Sequence, residues 1–266
     1  MNFKMKALVA AAVAVMSVSG AANAAIDNAA AGNSSVILTV FDRANNVSAV
    51  FDLGFHYETF AFGGSQSASS SSWNLASGDY ADAWNSFLSV ASLDNITWGV
   101  VAGDNTGSAA QLASKGFITT FNTTLNNNAP DGTGFVFAQH SSPLAGLNDY
   151  INANNNLGNH GQVENGGSVA TSGKAYAGYV YNGNKVWGLG PVALDKLGTE
   201  QGVVQYLSAG SVRDRGTALT YDATFSLGAD GILRYTVAAV PEPETYGLLF
   251  AGLALVGAAA RRRKSA

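Results

Sequence analysis

Three histidines carry the side chains best suited to chemistry: His56, His140 and His160. His56 and Glu58 lie two apart, so a strand would place them on one face. An imidazole beside a carboxylate is the start of a metal site, but the sequence offers no third ligand nearby. His140 is followed by Ser141 and Ser142, the residue types a Ser-His-Asp triad combines. A triad is defined by geometry, and no G-x-S-x-G turn is present to present a nucleophile. His160 and Glu164 stand in HGQVE, which lacks the H-E-x-x-H spacing of a zinc helix. Residues 152–158 (NANNNLG) echo a calcium loop with Asn in place of Asp. Neutral amides bind calcium weakly and the closing Glu is misplaced, so a solvated loop is expected. Asp104 and Asp131 open D-N-T-G and D-G-T-G, which are turn sequences. Glycoside cleavage needs two carboxyls about 5–9 Å apart, and no acidic cluster points to such a pair. Tyr176, Tyr179, Tyr181 and Trp187 could stack on sugar rings, although cross-strand packing is the expected role. The residues therefore predict no catalytic group, no bound metal and no cofactor.

Elements that would position these side chains read mostly as strands. Segments 36–42 and 47–55 flank Arg43, Ala44, Asn45 and Asn46, a hairpin loop. Further strands are expected at 96–102, 117–121 and 135–138. Segments 176–181 and 185–188 meet across Asn182-Gly183-Asn184, and 221–227 and 232–237 across Ala229-Asp230-Gly231. One stretch has a helical period: Tyr80, Trp84, Phe87, Leu88 and Ala91, with Asp79 placed to cap it. Shorter helices are expected at 106–114 and 145–153. Ser- and Gly-rich residues 63–72, and Asn- and Gly-rich 122–134 and 152–173, read as long loops. The fold class is mainly β: an antiparallel β-sandwich with one or two short surface helices.

Composition narrows the function classes. The chain has no cysteine, which excludes thiolate zinc sites and thiol nucleophiles. Between the two ends, residues 25–239 hold 16 carboxylates against 8 Lys and Arg, a net of −8. An acidic body repels phosphate backbones, so no nucleic-acid partner is expected. About 215 residues suffice for one β-rich core without staples.

Both ends carry segments that are not part of such a core. Lys4 and Lys6 precede an apolar run at 7–18, and Ala22-Asn23-Ala24 satisfies the small-x-small rule. These features predict a signal peptide over residues 1–24, cut by signal peptidase between Ala24 and Ala25. At the other end, Pro241, Glu242 and Pro243 precede an uncharged apolar stretch at 246–260. Arg261, Arg262, Arg263 and Lys264 follow it. Fifteen helical residues span about 22 Å, short of a hydrocarbon core of about 30 Å. Snorkelling stems and local thinning make up the difference. The cations then stay on the cytoplasmic side, and the prolines, barred from a helix interior, lie just outside the membrane.

That order of three blocks resembles the PEP-CTERM sorting segment of Gram-negative bacteria. The domain plan is thus 1–24 signal peptide, 25–239 exported body, and 240–266 sorting segment with a single transmembrane helix. Residues 35–104, with SVILTVFD, FDLG and TWGVVAGD, resemble the N-terminal part of uncharacterised exported PEP-CTERM proteins. The resemblance implies recognition by an exosortase-type membrane enzyme. It further implies transient anchoring, release or transfer to the cell surface or extracellular polysaccharide matrix, and a link to biofilm or floc. The leading expectation is a non-enzymatic, structural or adhesive protein. A carbohydrate-binding module and a secreted hydrolase are the alternatives.

Overall fold

The computed structural model describes residues 25–108 and 111–238. In chain order the elements are β1 (Ser35–Asp42), β2 (Val47–His56), α1 (Tyr57–Phe60), β3 (Ser71–Asn74), α2 (Ala81–Leu88), β4 (Thr97–Asp104), β5 (Gly116–Asn122) and β6 (Thr133–Val136). There follow α3 (Phe137–Asn155), β7 (Gly167–Ala170), β8 (Tyr181–Asn182), β9 (Lys185–Val186), β10 (Asp195–Lys196), β11 (Glu200–Leu207), β12 (Arg215–Leu227) and β13 (Ile232–Val237). Eleven strands form one antiparallel sheet, ordered β3-β13-β12-β11-β5-β4-β1-β2-β7, with β10 joined to β4 and β6 to β12. The mainly β, antiparallel expectation holds.

The two-layered packing comes from one sheet curled over its own concave face. Alternation along β1 sends Val36, Leu38 and Val40 to that face and Ile37 and Phe41 to the other. Strands from opposite ends of the sheet order meet inside. Phe55 of β2 lies edge-on to Trp73 of β3 at 5.2 Å, and Trp73 Nε1 donates to the Leu53 carbonyl at 2.9 Å. Phe60 touches Phe225 and Tyr235 across the same space. The indole bond thus ties the β3 edge to β2, near the other edge. Tyr80, Trp84 and Phe87 close the concave core over Phe51. Leu144, Leu147, Tyr150 and Ile151 of α3, with residues 26–29 and 177–194, cover the convex face.

Turn chemistry fixes the hairpins. Gly183 and Asn184 both have φ near +60°, the type I′ geometry that matches strand twist. Gly231 has φ +76° between β12 and β13, and a Cβ there would sit 2.9 Å from Trp84 Nε1.

Several local expectations are corrected. Asp79 makes no cap; it lies in a 3-10 turn (Gly78–Tyr80) that leads into α2. Residues 106–108 and 111–114 are turns, because Gly107 at φ +74° and Ala113 at φ +55° cannot continue a helix. The strand expected at 135–138 is split: β6 ends at Val136 and α3 begins at Phe137, where Gln139 Oε1 accepts the Val136 N–H. The 145–153 helix is the second half of a 19-residue helix. Its buried positions 140, 143, 144, 147, 150, 151 and 154 keep helical spacing, but His, Pro and Asn among them hide the apolar stripe. Tyr176 to Val180 is no strand, since a 3-10 turn over Ala177–Tyr179 shortens the hairpin to β8 and β9.

Candidate functional site

The three histidines go to three different places. His56 ends β2 and Glu58 begins the next turn in α1, so the shared strand face is broken. His56 Nε2 instead meets Asp27 Oδ2 at 3.1 Å on the surface. His140 is buried on α3 against Phe117 and Phe135, with Nδ1 3.3 Å from the Val136 carbonyl. Burial holds its pKa below the ordinary value. Ser141 turns back to its own helix, 3.5 Å from the Phe137 carbonyl, and does not meet His140. His160 is fully buried, with Nε2 3.1 Å from Ser168 Oγ. Ser168 donates its hydroxyl proton to Asn154 Oδ1 at 2.8 Å, so it accepts from His160. Asn154 Nδ2 donates to the Tyr150 and Ala175 carbonyls. This chain of bonds ties β7, α3 and residue 175 together. Burial pushes the His160 pKa down to about 3 and keeps the ring neutral. Among the described residues no three His, Asp or Glu side chains gather as a metal site.

The asparagine run is a clamp rather than a calcium loop. Residues 152–155 are the last turn of α3. Asn155 accepts the Ile26 N–H at 2.8 Å and donates to the Ile26 carbonyl at 2.9 Å. Asn152 accepts from Asn28 at 3.1 Å. A helix end satisfies the backbone of a strandless segment in this way. Asp104 and Asp131 do form turns, accepting the Thr106 and Thr133 N–H groups. The hairpin aromatics form no shared platform. Tyr181 is buried, Tyr176 packs edge-on to Phe41, and Trp187 packs beside Gly146. Tyr179 alone is exposed, donating to Asp149 beside Lys174.

Three aspartates, Asp42, Asp52 and Asp195, are buried, which was not foreseen, and the pKa of Asp52 is raised. Asp52 accepts from Ser35 Oγ at 3.0 Å and from the Gly54 N–H at 2.9 Å. Burial raises its pKa to about 6, against these hydrogen bonds and nearby His56, which pull it down. The sequence signal was an Asp inside the apolar run AVFDLGF, two residues before Gly54 at φ +69°.

A cleft of about 460 Å³ opens between the 127–133 loop, Lys185 and the Gly190-Pro191 turn. Half-buried Phe135 and the Tyr206 ring, 4.7 Å apart, form its apolar wall. Asn127, Asp131 and Thr133 supply polar edges. The loop is held in place rather than free. Asn128 bonds the Asn122 and Val192 carbonyls and accepts the Val192 N–H, while Asn122 Oδ1 accepts from Thr124 and Leu125. Sequence reasoning saw this stretch only as Asn-rich loop.

The residues expected to direct export lie almost wholly outside the described residues: Ala22 and Ala24 at one end, and Pro241, Glu242, Pro243, Arg261, Arg262, Arg263 and Lys264 at the other. Ala25 is the first described residue and is exposed. The body closes just before the tail. Val237 pairs with Ala223 and its N–H bonds Ser70 Oγ, and the Ala238 N–H donates to the Asp222 carbonyl at 2.8 Å. Among the described residues no helix is long and apolar enough to cross a membrane. A family model of the PEP-CTERM protein-sorting motif matches residues 239–264. No curated protein and no solved structure matches the chain.

Proposed function

From the PEP-CTERM protein-sorting motif at residues 239–264, we propose that this chain is an exported, non-enzymatic passenger of an exosortase-type enzyme, delivered to the cell surface or extracellular polysaccharide matrix. The motif match carries the reading. The body supports it through its last strand. Pro241 comes three residues after Ala238, the last described residue, whose N–H is still bonded to the Asp222 carbonyl. A cut at the motif therefore leaves the β13 pairing and the Ala238 bond on the body's side of the cut. Signal peptidase acts at Ala24–Ala25, and the role in the matrix is structural or adhesive. Mass spectrometry of protein recovered outside the inner membrane tests the reading. A C-terminus between Pro241 and Thr245 is expected. A mature chain that still ends in Arg261-Arg262-Arg263-Lys264-Ser-Ala would overturn the proteolytic route.

The cleft favours a second reading, a saccharide-binding body. An apolar ring wall with amide and hydroxyl edges suits a sugar's alternating faces, and its volume falls in the usual ligand range. Retention on a polysaccharide affinity gel, lost in Phe135→Ala, is the expected result. Equal migration with and without polysaccharide would remove this reading and leave the first intact.

A further inference from the structure

We propose that the cleft beside the 127–133 loop takes an acidic saccharide, with Lys185 meeting a uronate carboxylate and the Phe135–Tyr206 wall meeting the sugar ring. The inference rests on the saccharide reading of that cleft and names the class of sugar. Three donors on its lining, the Lys185 ammonium, the Asn127 amide and the Tyr206 hydroxyl, have no acceptor among the described residues. Tyr206 is only 3% exposed, and a buried phenol ordinarily finds a partner. Burial pushes its pKa above the usual phenol value, so the hydroxyl keeps its proton and donates. The acceptors on the lining are already engaged. Asp131 accepts the Thr133 N–H at 2.9 Å, and that bond, with the charge of Arg215, holds its carboxyl below the usual range. Asn128 Oδ1 accepts the Val192 N–H at 2.7 Å. A neutral sugar hydroxyl donates as readily as it accepts, whereas a carboxylate only accepts. A lining rich in unused donors therefore favours the carboxylate. Gly190 keeps the wall open: it has φ +66°, and a Cβ there would lie 3.3 Å from Phe135 Cζ and 3.4 Å from the Tyr206 oxygen.

Other cations of the body are spoken for. Lys174 pairs with Asp149 at 2.8 Å, Arg234 reaches Asp230 at 3.9 Å, and Arg43 donates to Asn184 at 3.3 Å. Lys185 combines an unused charge with a place on the cleft lining. The body as a whole carries a net of −8 and repels acidic polymers at long range. At physiological salt that repulsion is screened beyond about 8 Å, while a carboxylate in contact with Lys185 is not. Recognition of an acidic sugar is therefore local to the cleft and works against the charge of the body.

Titration calorimetry on the full-length chain in detergent micelles compares tetragalacturonate with its full methyl ester, which keeps the rings and removes the charge. Binding of the acid about tenfold tighter than the ester is expected, as for one charge-assisted hydrogen bond. Lys185→Gln should erase that preference at an unchanged urea midpoint, and Lys185→Arg should keep it. In the unaltered chain the preference should also shrink as salt is added. Equal affinity for acid and ester would overturn the inference and spare the saccharide reading. A preference that survives Lys185→Gln, or that ignores salt, would do the same. No heat from either ligand would overturn the inference as well, and retention on neutral polysaccharide then decides the saccharide reading separately.

Discussion

The concave and convex faces of the sheet are held by different chemistry. Inside the curl, strands face strands, and alternation supplies a continuous apolar layer of Phe51, Trp98, Phe225, Leu233 and Tyr235. The polar groups admitted there are few: Gln201 Nε2 donates to the Trp98 carbonyl while its Oε1 has no partner among the described residues, and Gln205 Nε2 donates to Tyr57. Outside, the cover is one helix and long irregular segments whose backbone groups have no ladder to join. Side chains take the ladder's place. Asn155 holds Ile26, Asn154 holds residue 175, Asn128 holds Val192, and Ser48 Oγ accepts the Ala177 N–H. A buried backbone group must be paired, so a face covered by loops demands amides where a face covered by strands does not. This is a physical use for a chain rich in Asn and poor in charge.

Breaking the concave face should have the largest effect. Phe225→Ala removes a ring shared by Phe60, Trp73 and Tyr235. A loss of about 3–5 kcal/mol in urea unfolding is expected. Next comes the convex lock. Asn154→Leu leaves Ser168 Oγ without its acceptor and the Ala175 carbonyl without its donor, a cost of about 2–6 kcal/mol at roughly 1–3 per buried group. A cost below about 1 kcal/mol would mean that packing, and not the polar lock, holds α3 to the sheet.

Acidity sharpens the contrast, because His160 and Asp52 are both on the convex side and act with opposite sign. The folded His160 pKa lies below the unfolded value, so the unfolded chain binds the extra proton. Stability is then lost as pH falls from about 6.5 toward 3, by about 2 kcal/mol at pH 5. Asp52 is raised to about 6, so the folded chain keeps the proton longer and stability is lost as pH rises from about 4 to 6. The two slopes oppose each other in the wild-type protein. His160→Gln should leave stability rising as pH falls from 6 to 4, and Asp52→Asn should steepen the acid loss. Chemical unfolding from pH 4 to 7 reads both, and parallel profiles for the three proteins would refute the assignment. The smallest effect belongs to neither face: Leu125→Ser, at an exposed loop tip, should shift stability by less than about 0.5 kcal/mol.

How much was legible can be followed residue by residue. β1, β2, β4, β5 and β13 were visible because apolar strand runs end at turn residues. β11, with EQGVVQYL, was not seen: its buried Gln201 and Gln205 break the pattern because they bond to groups far away in sequence. β3 and β7 have four residues each, too short for periodicity to register. The candidate chemistry was legible only as residue types. His160 read as a loop histidine, and nothing local announced that Ser168 and Asn154 would enclose it.

The linear order alone carries the sorting motif at residues 239–264, because prolines, an apolar stretch and arginines in series are matched by residue type and order, which are local quantities. Net charge and the lack of thiols are likewise fixed by composition. Tertiary structure decided which polar side chains became locks and how the sheet curls so that Trp73 reaches Leu53. Those outcomes depend on contacts between residues far apart in sequence, and no local pattern encodes a distance in space.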